Sequence, residues 1–247
     1  MRLLVLSDVH ANATALAAAL AACEGRWERA ICLGDLVGYG PDPNEVVDQV
    51  RGLATMVIRG NHDKAACGLA DLEDFNPMAR KALEWTHRRL HSQNLAYLRG
   101  LPAGPVEVDG LVLVHGSLRD EDEYVFAPAE ALDSLLESPR SLTFFGHTHH
   151  QGGFSYRDER LEIIKPHPRV GTNFASLRLE NGTRYLLNPG SIGQPRDGDS
   201  RAAFAIADPD HGVVEFWHVP YDIKAVQDRM ISADAPEPLV SRLARGR

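Results

Sequence analysis

Five apolar runs in this 247-residue chain each lead into side chains able to bind a metal. Asp8 and His10 follow LLVLS, and Asp35 follows AICLG. Asn61, His62 and Asp63 follow TMVIRG, His115 follows LVLV, and His147 and His149 follow LTFFG. The donors are oxygen and imidazole nitrogen, with no thiolate. That mix suits Mn, Fe, Zn, Ni or Co better than a closed structural cysteine site. Asp8, His10, Asp35, Asn61, His115, His147 and His149 make more ligands than one tetrahedral ion can use. Two ions can use them if one carboxylate bridges the pair at roughly 3.5–4 Å. Two divalent ions, two aspartates and one bound hydroxide leave a net charge of about +1. An acidic chain thereby gains a cationic hole suited to a phosphate.

The stretch FFGHTHH at 144–150 sharpens the ligand set. If a strand-like period of two continues past Phe145, His147 and His149 project to one side, where neighbouring metals could each take one. Gly146 lets the chain turn close to them. His150 faces away and is expected to be an exposed bystander.

The elements that must position these groups follow from periodicity. The runs at 3–7, 30–34, 55–59, 111–115 and 142–146 alternate with helical stretches at 11–23, 76–90 and 128–137, the second with Asn76 ahead of Pro77 at its start. Strand–helix alternation argues for an α/β sheet with strands buried on both faces. In such sheets ligands bind beyond the carboxyl ends of the strands, so parallel strands would converge all five clusters on one edge. From about residue 152 the pattern becomes hairpins, with turns at RDER, at Asn181-Gly182 and at DPDHG. A second sheet packed on the first, with helices outside, closes such a chain. Residues 1–247 are expected to form one domain. It would have a parallel part at about 1–150, an antiparallel hairpin part at about 151–220, and a helix with a loose, Arg-rich tail at 221–247.

Composition narrows the function classes. The chain is 44% hydrophobic with a net charge of −8, which argues against a nonspecific grip on nucleic acid. Its three cysteines are odd in number and lack metal spacing, so a reducing cytoplasm is expected. The N-terminal apolar run is too short for a signal peptide, and no run reaches a membrane span. Exposed strand edges in a second sheet would permit a homo-oligomer without requiring one. His87 and His91 lie at i,i+4 but lack the glutamate of an HEXXH pair, so they read as a solvated face. Phe75 and Trp85 read as core or helix face, and His167, His211 and His218 as surface or loop.

Taken in order, DVH, GD, GNHD, HG and GHTH resemble the calcineurin-like metallophosphoesterase superfamily. GDLVGYGPDPNE at 34–45 and LNPGSIGQPRDGD at 187–199 resemble its small bacterial and archaeal members, and the likeness runs from Met1 to about residue 222. The resemblance implies a four-layer α-β-β-α sandwich of two mixed sheets flanked by helices. It implies that Asp8, His10 and His149 hold one metal, that Asn61, His115 and His147 hold the other, and that Asp35 bridges them. A hydroxide between the metals would attack phosphorus. His62 would protonate the leaving alkoxide or steady its charge. Asp63 would orient His62.

Ala11 departs from the glycine usual in relatives, which removes left-handed freedom there. Asn12, Tyr39 and Arg196 are the candidate substrate contacts, with loop-fixing or packing as the plain alternatives, and Ser191 reads as a turn hydroxyl. The function expected is a phosphodiesterase acting on small phosphoester substrates. A phosphomonoesterase or a dinucleoside-polyphosphate hydrolase would use the same metal chemistry; loops 38–45, 64–78 and 116–127 would decide between them. A silent scaffold relative would lack His62, and a nuclease would carry a basic extension. Metal analysis of purified variants tests the ligand reading: His150→Ala should keep both metals, whereas His147→Ala or His149→Ala should not.

Overall fold

The computed structural model describes residues 1–166, 168 and 172–247, which leaves His167 outside the described residues. Among the described residues twelve strands follow one another. The first six are β1 (Leu3–Leu6), β2 (Arg29–Cys32), β3 (Ala54–Val57), β4 (Val106–Val108), β5 (Leu111–Leu113) and β6 (Leu142–Phe144). The rest are β7 (Gly152–Arg157), β8 (Arg160–Ile164), β9 (Phe174–Arg178), β10 (Arg184–Asn188), β11 (Ala202–Asp208) and β12 (Val213–Val219). They form two mixed six-stranded sheets, ordered β3-β2-β1-β11-β12-β9 and β4-β5-β6-β10-β7-β8.

Strand alternation explains the layers. Leu3 and Val5 of β1, like Phe216 of β12, face the second sheet, where they meet Leu113, Phe144 and Leu187. Leu4 and Leu6 face the other way, against Leu16 and Ala19 of helix α1 (Ala13–Ala22). On the far side, Val112, Phe145 and Leu186 pack on Ala131 and Leu135 of the helix at Pro128–Glu137. Each sheet is thus covered on both faces, and this is why its strands read as unbroken apolar runs. The fold is the expected α-β-β-α sandwich.

Two expectations about the sheets are corrected. The five motif-bearing strands do not share one sheet. β1, β2 and β3 lie parallel in the first, while β5 and β6 lie parallel in the second, so the site forms where two sheet edges meet. Asn181-Gly182 is a turn, with Gly182 at φ +79°, but its flanking strands do not pair. β9 pairs with β12, where Phe174 stacks on Trp217 at 4.6 Å, and β10 inserts between β6 and β7. Burial in two different sheets overrides the local hairpin signal. The other two expected hairpins, β7–β8 and β11–β12, form.

The C-terminal segment is not loose. Two helices, Ile223–Ser232 and Glu237–Arg242, bury Val226, Met230, Leu239 and Val240 against Ala82 and Tyr39, and Leu243 just beyond them joins the same cluster. Gly198 N–H donates to the carbonyl of Gly246 at 2.9 Å, tying the chain end to the 187–199 loop. Its apolar residues are spaced in short helices among arginines, and that charge disguises the buried face. Similarly, His218 is buried on β12 rather than on the surface, and the three cysteines are free and buried. Leu239→Ala should cost about 2–5 kcal/mol in denaturant unfolding, the range for a buried leucine; a cost under about 0.5 kcal/mol would mean the tail is only loosely held.

Candidate metal centre

Six of the seven expected ligands fall into two buried groups, and Asn61, the seventh, directly precedes His62, whose backbone N–H bonds Asp35. Atoms of Asp8, His10, Asp35 and His149 lie within 4.8 Å of one another, and so do atoms of Asp35, His115 and His147. Asp35 belongs to both groups. His10 Nε2 lies 3.0 Å from His149 Nε2 and 3.6 Å from Asp35 Oδ2. His149 Nε2 lies 3.3 Å from Asp8 Oδ1, and His115 Nε2 lies 3.5 Å from Asp35 Oδ2. His150 is exposed and lies in neither group, with Nδ1 bonded to the Thr148 carbonyl at 2.8 Å.

The donors are oriented from behind. His10 Nδ1 bonds the Val37 carbonyl at 2.9 Å, His115 Nδ1 that of Leu33 at 2.8 Å, and His149 Nδ1 that of Gln194 at 2.6 Å. A ring nitrogen bonded to a carbonyl carries the proton, so each Nε2 is left as a lone pair facing the cluster. His147 is turned round: Nε2 bonds the Asp122 carbonyl at 3.1 Å, which leaves Nδ1 as its ligand nitrogen. Asp35 Oδ2, Asn61 Oδ1 and His115 Nε2 are buried with no hydrogen-bond partner. Buried polar atoms are rarely left unpaired. Three orphaned acceptors, one of them on the shared carboxylate, fit metal ions, and a hard oxygen and imidazole set fits the metals expected.

The backbone is strained here. Asp8, His10, Ala11, Asp35, Tyr39, His147 and His149 all have φ between +46° and +65°. Such values are uncommon outside glycine and cluster at functional sites. His147 and His149 therefore reach the site through left-handed turns, not through the strand alternation that the sequence suggests; β6 ends at Phe144. Ala11 adopts the left-handed conformation despite its methyl group. Close approach is enforced at two glycines. A Cβ on Gly146 would lie 2.2 Å from Ser7 Oγ, and one on Gly60 would lie 2.1 Å from Asp35 Oδ1.

His62 is buried beside the cluster, and its backbone N–H donates to Asp35 Oδ1 at 2.8 Å. Asp63 does not stand behind its ring. The Asp63 carboxylate accepts the N–H groups of Val37 at 3.2 Å and Gly60 at 3.1 Å, and His62 Nδ1 has no partner. Asp63 caps its own short helix and pins the Asp35 loop instead, while burial, with Asp35 nearby, pushes its pKa up. Rings orient His62: Tyr39 at 4.4 Å, His10 at 4.9 Å and Phe75 at 5.3 Å. Burial pushes His62 down to about 4, with Asp35 opposing and Arg196 adding to the shift.

Of the candidate substrate contacts, Asn12 is already engaged. Its Oδ1 accepts the Ala15 N–H at 3.0 Å as a helix cap, and its Nδ2 donates to the Gly193 carbonyl at 3.1 Å. Tyr39 and Arg196 do reach the rim, and Arg196 Nη2 lies 3.5 Å from the Tyr39 hydroxyl. Ser191 Oγ donates to the Asp8 carbonyl at 2.8 Å, so it is a strut to a ligand. Phe75 reaches His62 rather than serving only as core or helix face, and Tyr124 carries no motif in the sequence. Tyr124 stacks on His147 at 3.8 Å, so each of the three suspected loops sends one aromatic ring onto a site histidine. Position within those loops is the one signal that could have found them.

The model of the calcineurin-like phosphoesterase superfamily domain matches residues 1–212. The chain belongs to that superfamily. An uncharacterized protein of Methanocaldococcus jannaschii is 32% identical, covering 98% of this chain and 97% of its own. A metallophosphoesterase of Sphaerobacter thermophilus is 42% identical, with a TM-score of 0.83 over 100% of this chain and 99% of its own. A hypothetical protein of Pyrococcus horikoshii, 22% identical, shares the fold with a TM-score of 0.77 over 100% of this chain and 98% of its own. For this superfamily member, Asp35→Ala should empty at least one metal position. Gly60→Ala should lower metal content without removing any ligand, because the new methyl meets Asp35; full occupancy in either variant by metal analysis would refute the shared carboxylate.

Proposed function

We propose that the protein is a two-metal phosphoester hydrolase, and that it acts on phosphodiesters of small molecules. The observation that carries this reading is Asp35, common to two buried donor groups, with unpaired His115 Nε2 at 3.5 Å from its Oδ2. Asp8, His10, Asp35 and His149 would hold one ion, and Asp35, Asn61, His115 and His147 the other. Bound ions would supply Lewis acidity toward phosphoryl oxygens and a water acidified for attack.

The chain's own groups do the rest. Asp8 and Asp35 offset half the charge of two divalent ions, and neutral imidazoles and an amide offset none. The field that remains is modest and suits a singly charged diester. His62 is neutral at pH 7 in the free protein, given its depressed pKa. Its Nδ1 is buried, so Nε2 is the nitrogen that can reach substrate. There it donates a hydrogen bond to the leaving oxygen, and a phosphate anion alongside makes protonation of the ring easier. Tyr39, Phe75 and Tyr124 exclude water around these histidines, which strengthens each electrostatic contact.

His62→Ala should leave metal content nearly unchanged and lower turnover on the order of 10²-fold or more; unchanged turnover would remove His62 from the chemistry. Bis(p-nitrophenyl) phosphate should be hydrolysed in preference to p-nitrophenyl phosphate with Mn, Ni, Zn or Mg, and a preference for the monoester would overturn the assignment to diesters.

A further inference from the structure

Arg196 and Arg242 meet beside the metal centre without a carboxylate between them. Arg196 Nη2 donates to Gln194 Oε1 at 3.0 Å, and Arg242 Nη1 donates to the same oxygen at 3.2 Å. Two guanidinium groups are thus held one hydrogen bond either side of a neutral amide. Among the described residues neither forms an ion pair. Both are only half-exposed, and burial, with Arg196 adding its charge, pushes Arg242 below the ordinary arginine value.

The same place holds unanswered donors. Arg196 Nε and Gln194 Nε2 are buried and have no acceptor. A locus with two cations and two unused N–H groups lacks an acceptor that is negatively charged. Planar guanidinium forks match the oxygens of phosphate best. The position ties this locus to the metal centre. Arg196 N–H donates to the His149 carbonyl at 3.2 Å, and its guanidinium lies 5.8 Å from the Tyr39 ring centre. That ring in turn lies 4.4 Å from His62.

We propose that Arg196, Arg242 and the Gln194 amide form a second anion subsite, so that the preferred substrate carries a further phosphate group besides the phosphorus under attack. This rests on the phosphoester-hydrolase reading above. Arg242 comes from the helix Glu237–Arg242, beyond the matched residues 1–212, whereas Gln194 and Arg196 lie within them.

Calorimetric titration of the Mn-loaded protein tests this with 1,3-propanediol monophosphate and 1,3-propanediol bisphosphate as probes. The bisphosphate should bind at least about tenfold more tightly, as charge-assisted hydrogen bonds imply. Arg242→Gln should bring the ratio of the two affinities close to one, and Arg242→Lys, which keeps the charge, should retain part of it. Equal affinities in the unaltered protein, or an unchanged ratio in Arg242→Gln, would overturn the subsite. A bisphosphate preference that persists in a protein unable to hydrolyse any phosphoester would instead sink the hydrolase reading and leave the subsite standing.

Discussion

Asp35 is the joint on which the site depends. Its carboxylate is the only group common to both donor sets among the described residues, and it lies where the edges of two separate sheets meet. A carboxylate buried so deeply is costly unless cations answer it. Here His10 and His115 press on Oδ2, while the His62 N–H satisfies Oδ1. Moving either sheet relative to the other would pull these partners apart. The inter-sheet core of Leu3, Val5, Ile31, Phe144, Leu187 and Phe216 is therefore what holds the two halves of the centre in register.

The strain around that joint has a counterpart in packing. Five of the ligands sit in left-handed backbone, which an isolated loop would avoid by about 1 kcal/mol or more per residue. They are held there by struts from elsewhere in the chain. Ser191 and Gly193 bond the Asp8 carbonyl, and the Gln194 carbonyl holds His149. Arg59 and Lys64 grip Glu121, steadying the loop whose Asp122 carbonyl orients His147. The ligands come from one set of segments and their rigidity from another.

Much of this was legible in the residues. Unbroken apolar runs marked the doubly covered strands, and a metal-capable side chain after each run marked the ligands. What was not legible depended on partners distant in sequence. The Asn181-Gly182 turn is local, yet whether its strands pair is settled by vacancies beside β12 and between β6 and β7. Asp63 sits next to His62 in the chain, but a helix start turns its carboxylate toward backbone donors instead. Tyr124 has no spacing signal at all; only the closing of its loop over His147 gives it a role. The charged tail hid its apolar face because short helices offer too few turns for a clear period.

That tail divides the molecule by how freely its parts can change. Residues that bear the ligands are hemmed in by strain, close glycines and shared bonds, so few substitutions leave them working. The last helix touches the rim through Tyr39 and Gln194, yet contributes no ligand. Drift in it can reshape what the rim accepts while the reactive core stays intact. A chain arranged this way can diverge in what it recognises without relearning its chemistry.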